Sequence, residues 1–200
     1  MPSKRARSGP AAAAIVLFLL LGAAWPISPS LAASIAGVTV PDSMQVDGQT
    51  LILNGLGVRT YSFLKIKIYV AALYLQAKSY DGASILASPQ SKVIALHYIH
   101  SGSKEQVQDH YREGAENNCG NGNCDAALQA DFDKLVASAT AVQEGDTTLF
   151  IATNRYFRVV FNGRPIITIN NPKLGTLMIS GFIGTHPPSE DLRAALLGLQ

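Results

Sequence analysis

The chain has little of what most often announces a chemistry. Its 200 residues include two cysteines, four histidines and one tryptophan, and only 15% are Asp, Glu, Lys or Arg. It has no Gly-rich phosphate loop, no Gly-x-Ser-x-Gly elbow and no His-Glu-x-x-His pair, which excludes the common local signatures of nucleotide binding, serine hydrolysis and zinc proteolysis. Its carboxylates are scattered singly, without an evident acid–base couple. No repeat and no long low-complexity stretch is present. Beyond the first thirty residues no apolar run approaches the roughly 20 residues that a spanning helix needs. No basic stripe with interleaved aromatics is present, so nucleic acid is not an expected partner. No cofactor is implied.

What is present begins with a leader. Lys4, Arg5 and Arg7 precede an apolar run from Ala11 to about Trp25, and Ser30-Leu31-Ala32 closes the segment with small residues at the −3 and −1 sites. A charged start, an apolar middle and small closing residues make up a secretory signal. The rival is an uncleaved anchor, but the run is short for a span, and Pro26 and Pro29 interrupt its extension. Residues 1–32 are therefore expected to be a signal peptide cut after or close to Ala32, and 33–200 a single domain, periplasmic or secreted. All three leader charges are basic. Removing them from sixteen Lys and Arg leaves thirteen against fourteen Asp and Glu, a net charge near −1. A chain of that length is one domain of ordinary size.

Cys119 and Cys124 flank Gly-Asn-Gly-Asn in the exported part. An even count in an oxidising compartment, with a flexible loop between, reads as a local disulfide joining two helices. The redox spacing would leave two residues between the sulfurs, not four. A zinc site would need two more ligands, and His97, His100 and His110 lie at no finger-like spacing, so no metal is expected. The Asn, Gly and Asp residues lack the calcium-loop register.

The periodicity is mixed. Residues 36–40 and 49–54 are short β-type runs. Leu53-Asn54-Gly55-Leu56-Gly57-Val58-Arg59-Thr60-Tyr61 is a glycine-punctuated segment leading into the strongest strand, Lys65 to Leu75. Its period of two predicts Ile66, Ile68, Val70 and Ala72 on one face, with Lys65, Lys67, Tyr69 and Ala71 on the other. A short helix is expected from Asp81 to Ala87, and a central strand from Lys92 to Ile99. Ser103 with Gln106 makes a capping box opening a helix to about Glu116. Asp125 opens another helix with its core stripe at Leu128, Phe132, Leu135 and Val136. Strands at Thr147–Ala152 and Arg155–Phe161 precede the hairpin turn Asn162-Gly163 and a return strand from Arg164 to Ile169. Helices from about Pro172 to Phe182 and Ser189 to Leu197 end the chain, separated by Pro187 and Pro188. The expected class is α+β, a mainly antiparallel sheet with a layer of helices on one face.

One group points to binding. Lys67 and Tyr69 fall on one predicted strand face, and Arg59 precedes them across a short hairpin. A guanidinium keeps its charge and pairs bidentately with an oxyanion, so Arg59, Lys67 and Tyr69 form a candidate site for a carboxylate or phenolate. The competing reading is a solvated face carrying snorkelling Lys and Arg.

Three stretches carry a family resemblance: Leu53 to Arg59, the Lys65–Leu75 strand ending Leu73-Tyr74-Leu75, and Leu177-Met178-Ile179-Ser180-Gly181-Phe182-Ile183-Gly184 followed by Pro187 to Leu197. In order and spacing they resemble a chalcone isomerase-like domain of the bacterial type, over about 36–198. The resemblance implies an open-faced β-sandwich: an antiparallel sheet, a helical layer against it and a ligand cleft between. The family's plant enzymes close a chalcone by phenolate attack on an enone, while relatives bind fatty acids. The family arginine corresponds to Arg59. Its threonine falls at Tyr69, its tyrosine and asparagine near Glu105 and Arg112, and its late Ser/Thr near Ser180 or Gly181. The resemblance thus implies a small apolar or amphipathic ligand, with Arg59 and Tyr69 as the binding pair, and as the catalytic pair if the protein is an isomerase. The expectation is a non-catalytic binder of a fatty acid or similar molecule. A cofactor-independent intramolecular lyase of chalcone-like substrates and a structural or assembly partner without ligand are the alternatives.

Overall fold

The longest pairing in the computed structural model joins β4 (Gln49–Tyr61) to β5 (Ile66–Leu75) as an antiparallel hairpin. The structure describes residues 32–119, 124–187 and 189–200. The proposed leader up to residue 31, the loop between the cysteines and Pro188 lie outside them. A short ribbon of β1 (Ala32–Ile35) and β2 (Val38–Pro41) opens the described chain. Seven strands then form one sheet in chain order, each antiparallel to the next: β3 (Ser43–Val46), β4, β5, β6 (Lys92–Tyr98), β7 (Thr147–Ala152), β8 (Phe157–Phe161) and β9 (Arg164–Ile169). Helix α1 (Gly82–Ala87) lies between β5 and β6, α2 (Lys104–Cys119) and α3 (Ala126–Ser138) between β6 and β7, and α4 (Pro172–Ile183) and α5 (Glu190–Leu196) after β9.

The local chemistry explains the helix starts. The Ser103 backbone N–H donates to Gln106 Oε1 at 2.8 Å, and the Gln106 N–H donates back to Ser103 Oγ at 3.3 Å, the reciprocal capping box. Asp125 accepts from the Leu128 N–H at 2.8 Å, and Ser189 from the Leu192 N–H at 3.1 Å. Cys119 at the end of α2 is bonded to Cys124 just before α3, with Cα atoms 5.1 Å apart.

Helices cover one face of the sheet, as the element order predicts. Leu73, Leu75, Ile94, Leu96, Phe150, Phe157 and Val159 meet Leu128, Phe132, Leu135, Leu174, Ile179, Phe182, Leu192 and Leu196 there. The opposite face is not bare. Ala72, Tyr74, Val93, Ala95 and Ile151 form a second buried cluster with Val40, Val46 and Leu51. Residues 70–75 are therefore buried on both faces.

Two bulges correct the simple strand reading. At the start of β4, Leu53 pairs with Tyr74 and Gly55 with Leu73, leaving Asn54 as the extra residue. Its side chain accepts from the Ser79 N–H at 2.8 Å and donates to the Ser79 and Leu196 carbonyls, each at 2.9 Å. Near the other end, Arg59 pairs with Tyr69 and Thr60 with Lys67, so Ile68 is the extra residue on β5. The predicted alternation fails there: Ile68 joins Tyr69 and Ala71 against the helix-side cluster, away from Ala72.

The glycines of β4 do not interrupt the strand; they admit α5. A Cβ on Gly55 would collide with the backbone carbonyls of Ala195 and Leu196, and one on Gly57 would stand 2.7 Å from Ala195 Cβ. Gly181, inside α4, has open space where a Cβ would go. We expect Gly55→Ala to lower stability by about 1–3 kcal/mol through overpacking against rigid backbone. Gly181→Ala should raise it by roughly 0.5–1 kcal/mol through helix propensity. Urea unfolding midpoints of the two variants check this; an unchanged midpoint for Gly55→Ala would show that α5 does not seat on β4 in this way.

Candidate functional site

The candidate site lies between the β4–β5 hairpin and α2. Arg59 stands near the end of β4, opposite Tyr69 in the register. The Ile68 bulge lets two consecutive residues of β5, Ile68 and Tyr69, reach one cavity of about 380 Å³. Tyr98 at the end of β6 and Val142 after α3 add to its walls, and α2 supplies Val107, His110 and Tyr111. Asp109 and Glu113 lie at its exposed rim. A volume in this range suits a small-molecule site, with a few convergent polar groups on apolar walls.

Tyr69 sits at the centre of the polar groups. It is 3% exposed, its ring meets that of Tyr98 edge to face at 6.1 Å, and its hydroxyl lies 3.5 Å from His110 Nε2. Burial pushes its pKa well above the ordinary phenol value; neighbouring Tyr98 pushes the same way, and the positive charge of Arg59 opposes them. Tyr69 therefore keeps its proton at neutral pH and can donate a hydrogen bond. Tyr111 is raised mainly by burial as well. His110 is moved in the opposite sense: burial and then the Arg59 charge hold its pKa below the usual 6.5, against a smaller pull from Glu113.

The Arg59 side chain is half-buried and makes no hydrogen bond or ion pair with any of the described residues. Asp109 at the rim is engaged elsewhere, 2.8 Å from Arg112. The Arg59 charge acts on two groups of the cavity, a neutral phenol and an imidazole held toward its neutral form. A guanidinium that cannot lose its proton, a phenol that donates and an imidazole that can do either converge on a cavity with aromatic and aliphatic walls. That arrangement can receive an anionic head with an apolar body, and it can stabilise an oxygen on which negative charge develops.

The structure thus brings Arg59 and Tyr69 together and leaves Lys67 out. Lys67 is exposed and does not line the cavity, because the bulge at Ile68 breaks the alternation that would have placed it beside Tyr69. The positions of the family tyrosine and asparagine are also outside: Glu105 accepts from Ser103 Oγ at 2.9 Å, and Arg112 pairs with Asp109. Ser180 donates to the Leu177 carbonyl within α4 and is not part of the lining. His110, Tyr98 and Tyr111 were not singled out as site residues by sequence. Val107, His110 and Tyr111 share one side of α2, a 3–4 spacing that marks an inward face, but nothing in it distinguishes a packed face from a cavity wall.

The chalcone isomerase-like family model matches residues 32–198. The crystal structure of an Arabidopsis thaliana fatty-acid binding protein is similar in fold, with a TM-score of 0.65 at 16% identity, over 84% of this chain and 95% of that one. No curated protein matches in sequence. The family match spans the whole sheet and helical layer, from the first residue of β1 to beyond α5, and the chain belongs to the chalcone isomerase-like family.

Proposed function

We propose that this protein is a non-catalytic binder of a fatty acid or similar amphipathic carboxylate. The observation that carries this is Arg59: a half-buried cation without an anionic partner among the described residues, facing a cavity otherwise walled by aromatic and aliphatic side chains. A carboxylate would take the guanidinium fork and the Tyr69 O–H, and an alkyl body would lie along Ile68, Val107 and Val142. The fatty-acid binding protein of similar fold supports the same reading. Glu105 and Arg112, near which the family tyrosine and asparagine fall, do not line the cavity: Glu105 bonds to Ser103 and Arg112 pairs with Asp109 at the rim, which favours binding over cyclisation.

We further propose that the protein works outside the cytoplasm after losing residues 1–32. The basic-apolar-small pattern of that segment and the Cys119–Cys124 bond support this. Cleavage after Ala32 would cost β1 only its first residue, which pairs with Pro41 at the end of the ribbon. Material purified from an exporting host should have an intact mass beginning at residue 33 and no free thiol on titration. Two titratable thiols would refute the disulfide.

Titration calorimetry with decanoate or a longer fatty acid tests the binding. Arg59→Ala should weaken it by about 10- to 100-fold, the worth of a charged hydrogen bond. Tyr69→Phe should weaken it several-fold, as for a neutral donor. No measurable binding by the unaltered protein would overturn the reading.

His110 gives the site a pH dependence of definite sign. In the free protein its pKa lies below 6.5, partly because of Arg59. A bound anion offsets the Arg59 charge and favours imidazolium, so binding raises this pKa and takes up a proton. Affinity should therefore rise as pH falls through the interval between the free and bound values. With decanesulfonate, which stays ionised throughout, binding should tighten as pH is lowered from 7.5, up to about tenfold for each unit by which the ligand raises the His110 pKa. His110→Gln should flatten the profile.

A further inference from the structure

The tip of the β4–β5 hairpin is the most apolar exposed point among the described residues. Tyr61 is 63% exposed, Phe63 91%, Leu64 66% and Ile66 42%. The other large exposed apolar side chains among the described residues are Tyr80, Ile166 and Leu199. The tip is an ordered turn: the Lys65 N–H donates to the Ser62 carbonyl at 3.1 Å, and Ser62 and Lys65 both take positive φ, at 61° and 51°. This geometry projects Phe63 and Leu64 together at the apex. Lys65 and Lys67 alternate with the apolar residues, and neither has an ion-pair partner among the described residues. No carboxylate lies within residues 59–69.

The tip adjoins the mouth of the cavity. Tyr61 is both exposed and part of the lining, and the same two strands send in Arg59, Ile68 and Tyr69. A few apolar side chains at a convex apex offer much less than the roughly 800 Å² per partner of a stable protein interface. Aromatic and aliphatic side chains that can enter acyl chains, with lysines placed to meet anionic headgroups, match the chemistry of a bilayer surface. A polar, hydrated protein surface would gain nothing from Phe63.

We propose that this hairpin tip docks the protein on an anionic lipid bilayer, with Phe63 and Leu64 inserted and Lys65 and Lys67 at the headgroups, so that the ligand passes between membrane and cavity beside Tyr61. The direction of traffic rests on the lipid-binding reading of the cavity; the docking stands on the tip alone.

The test uses residues 33–200, the mature chain proposed above, which contains both apolar clusters complete. Trp25 is the only tryptophan and lies in the leader, so Phe63→Trp places a single fluorophore at the apex. With vesicles of phosphatidylcholine containing phosphatidylglycerol, its emission should shift to the blue. In sedimentation with the same vesicles, F63S/L64S should reduce partitioning at least tenfold while its affinity for decanoate, measured without vesicles, stays unchanged. K65Q/K67Q should lose the preference for anionic over pure phosphatidylcholine vesicles, as should the unaltered protein at high salt. Arg59→Ala should sediment with vesicles normally even though it holds decanoate more weakly, which separates failure of docking from failure of ligand binding. No blue shift and no sedimentation would overturn the proposal. So would a concentration-dependent dimer that F63S/L64S abolishes, since the tip would then meet a second copy of the chain.

Discussion

The pairing of β4 with β5 is the constraint on which the rest of this structure depends. It is a long antiparallel ladder with one extra residue near each end, and each bulge does a separate job. The bulge at Asn54 turns a polar side chain inward, where it holds the loop at Ser79 and the last turn of α5. The adjacent Gly55 and Gly57 remove the side chains that would otherwise hold α5 away. The bulge at Ile68 sets two consecutive side chains on the helix side of the sheet, so that an aliphatic wall and a phenol donor enter one cavity together. A regular ladder would lose both the seat for the C-terminal helix and the polar end of the site.

Within that frame the electrostatics are simple. Arg59 brings a permanent charge into a partly buried place, which is unfavourable unless an anion meets it. The fold does not supply that anion from the described residues: Asp109 pairs with Arg112, and Glu113 acts on His110 from the exposed side of α2. Burial keeps the proton on Tyr69 against the Arg59 field, while burial and that field together favour the neutral form of His110. A ligand carboxylate would restore balance, and its apolar body would replace water along walls that hydrate poorly. The exposed hairpin tip continues the same two strands outward, so one sheet edge carries the polar end of the site, its mouth and the apolar apex.

Much of this was legible in the sequence where the signal is local. The capping residues Ser103 and Asp125, the Asn162-Gly163 turn and the core stripe of α3 each act through neighbours a few residues away, and each stands where its pattern placed it. The family resemblance, carried by the β4–β5 segment and the C-terminal helices, extended that local reading to the whole domain. Lys67 lies outside the cavity because the alternation does not run through Ile68, and no residue type there marks a bulge. His110 passed as an ordinary histidine because its significance lies in Arg59, fifty-one positions earlier, and not in its own neighbours.

The sequence by itself indicated the five helices, the later strands, the α+β class and the pairing of Cys119 with Cys124, because these rest on short-range periodicity, turn chemistry and a family pattern; it did not show the short strands β1 and β3 or the continuity of β4 through Gly55 and Gly57. Only the tertiary structure decided which side chains share the cavity with Arg59. That depended on register: a single extra residue on β5 moves Ile68 beside Tyr69 and leaves Lys67 outside, and the face that α2 presents brings in His110 and Tyr111. It also decided why the two glycines of β4 are needed, since the backbone they must admit belongs to a helix some 140 residues further along the chain.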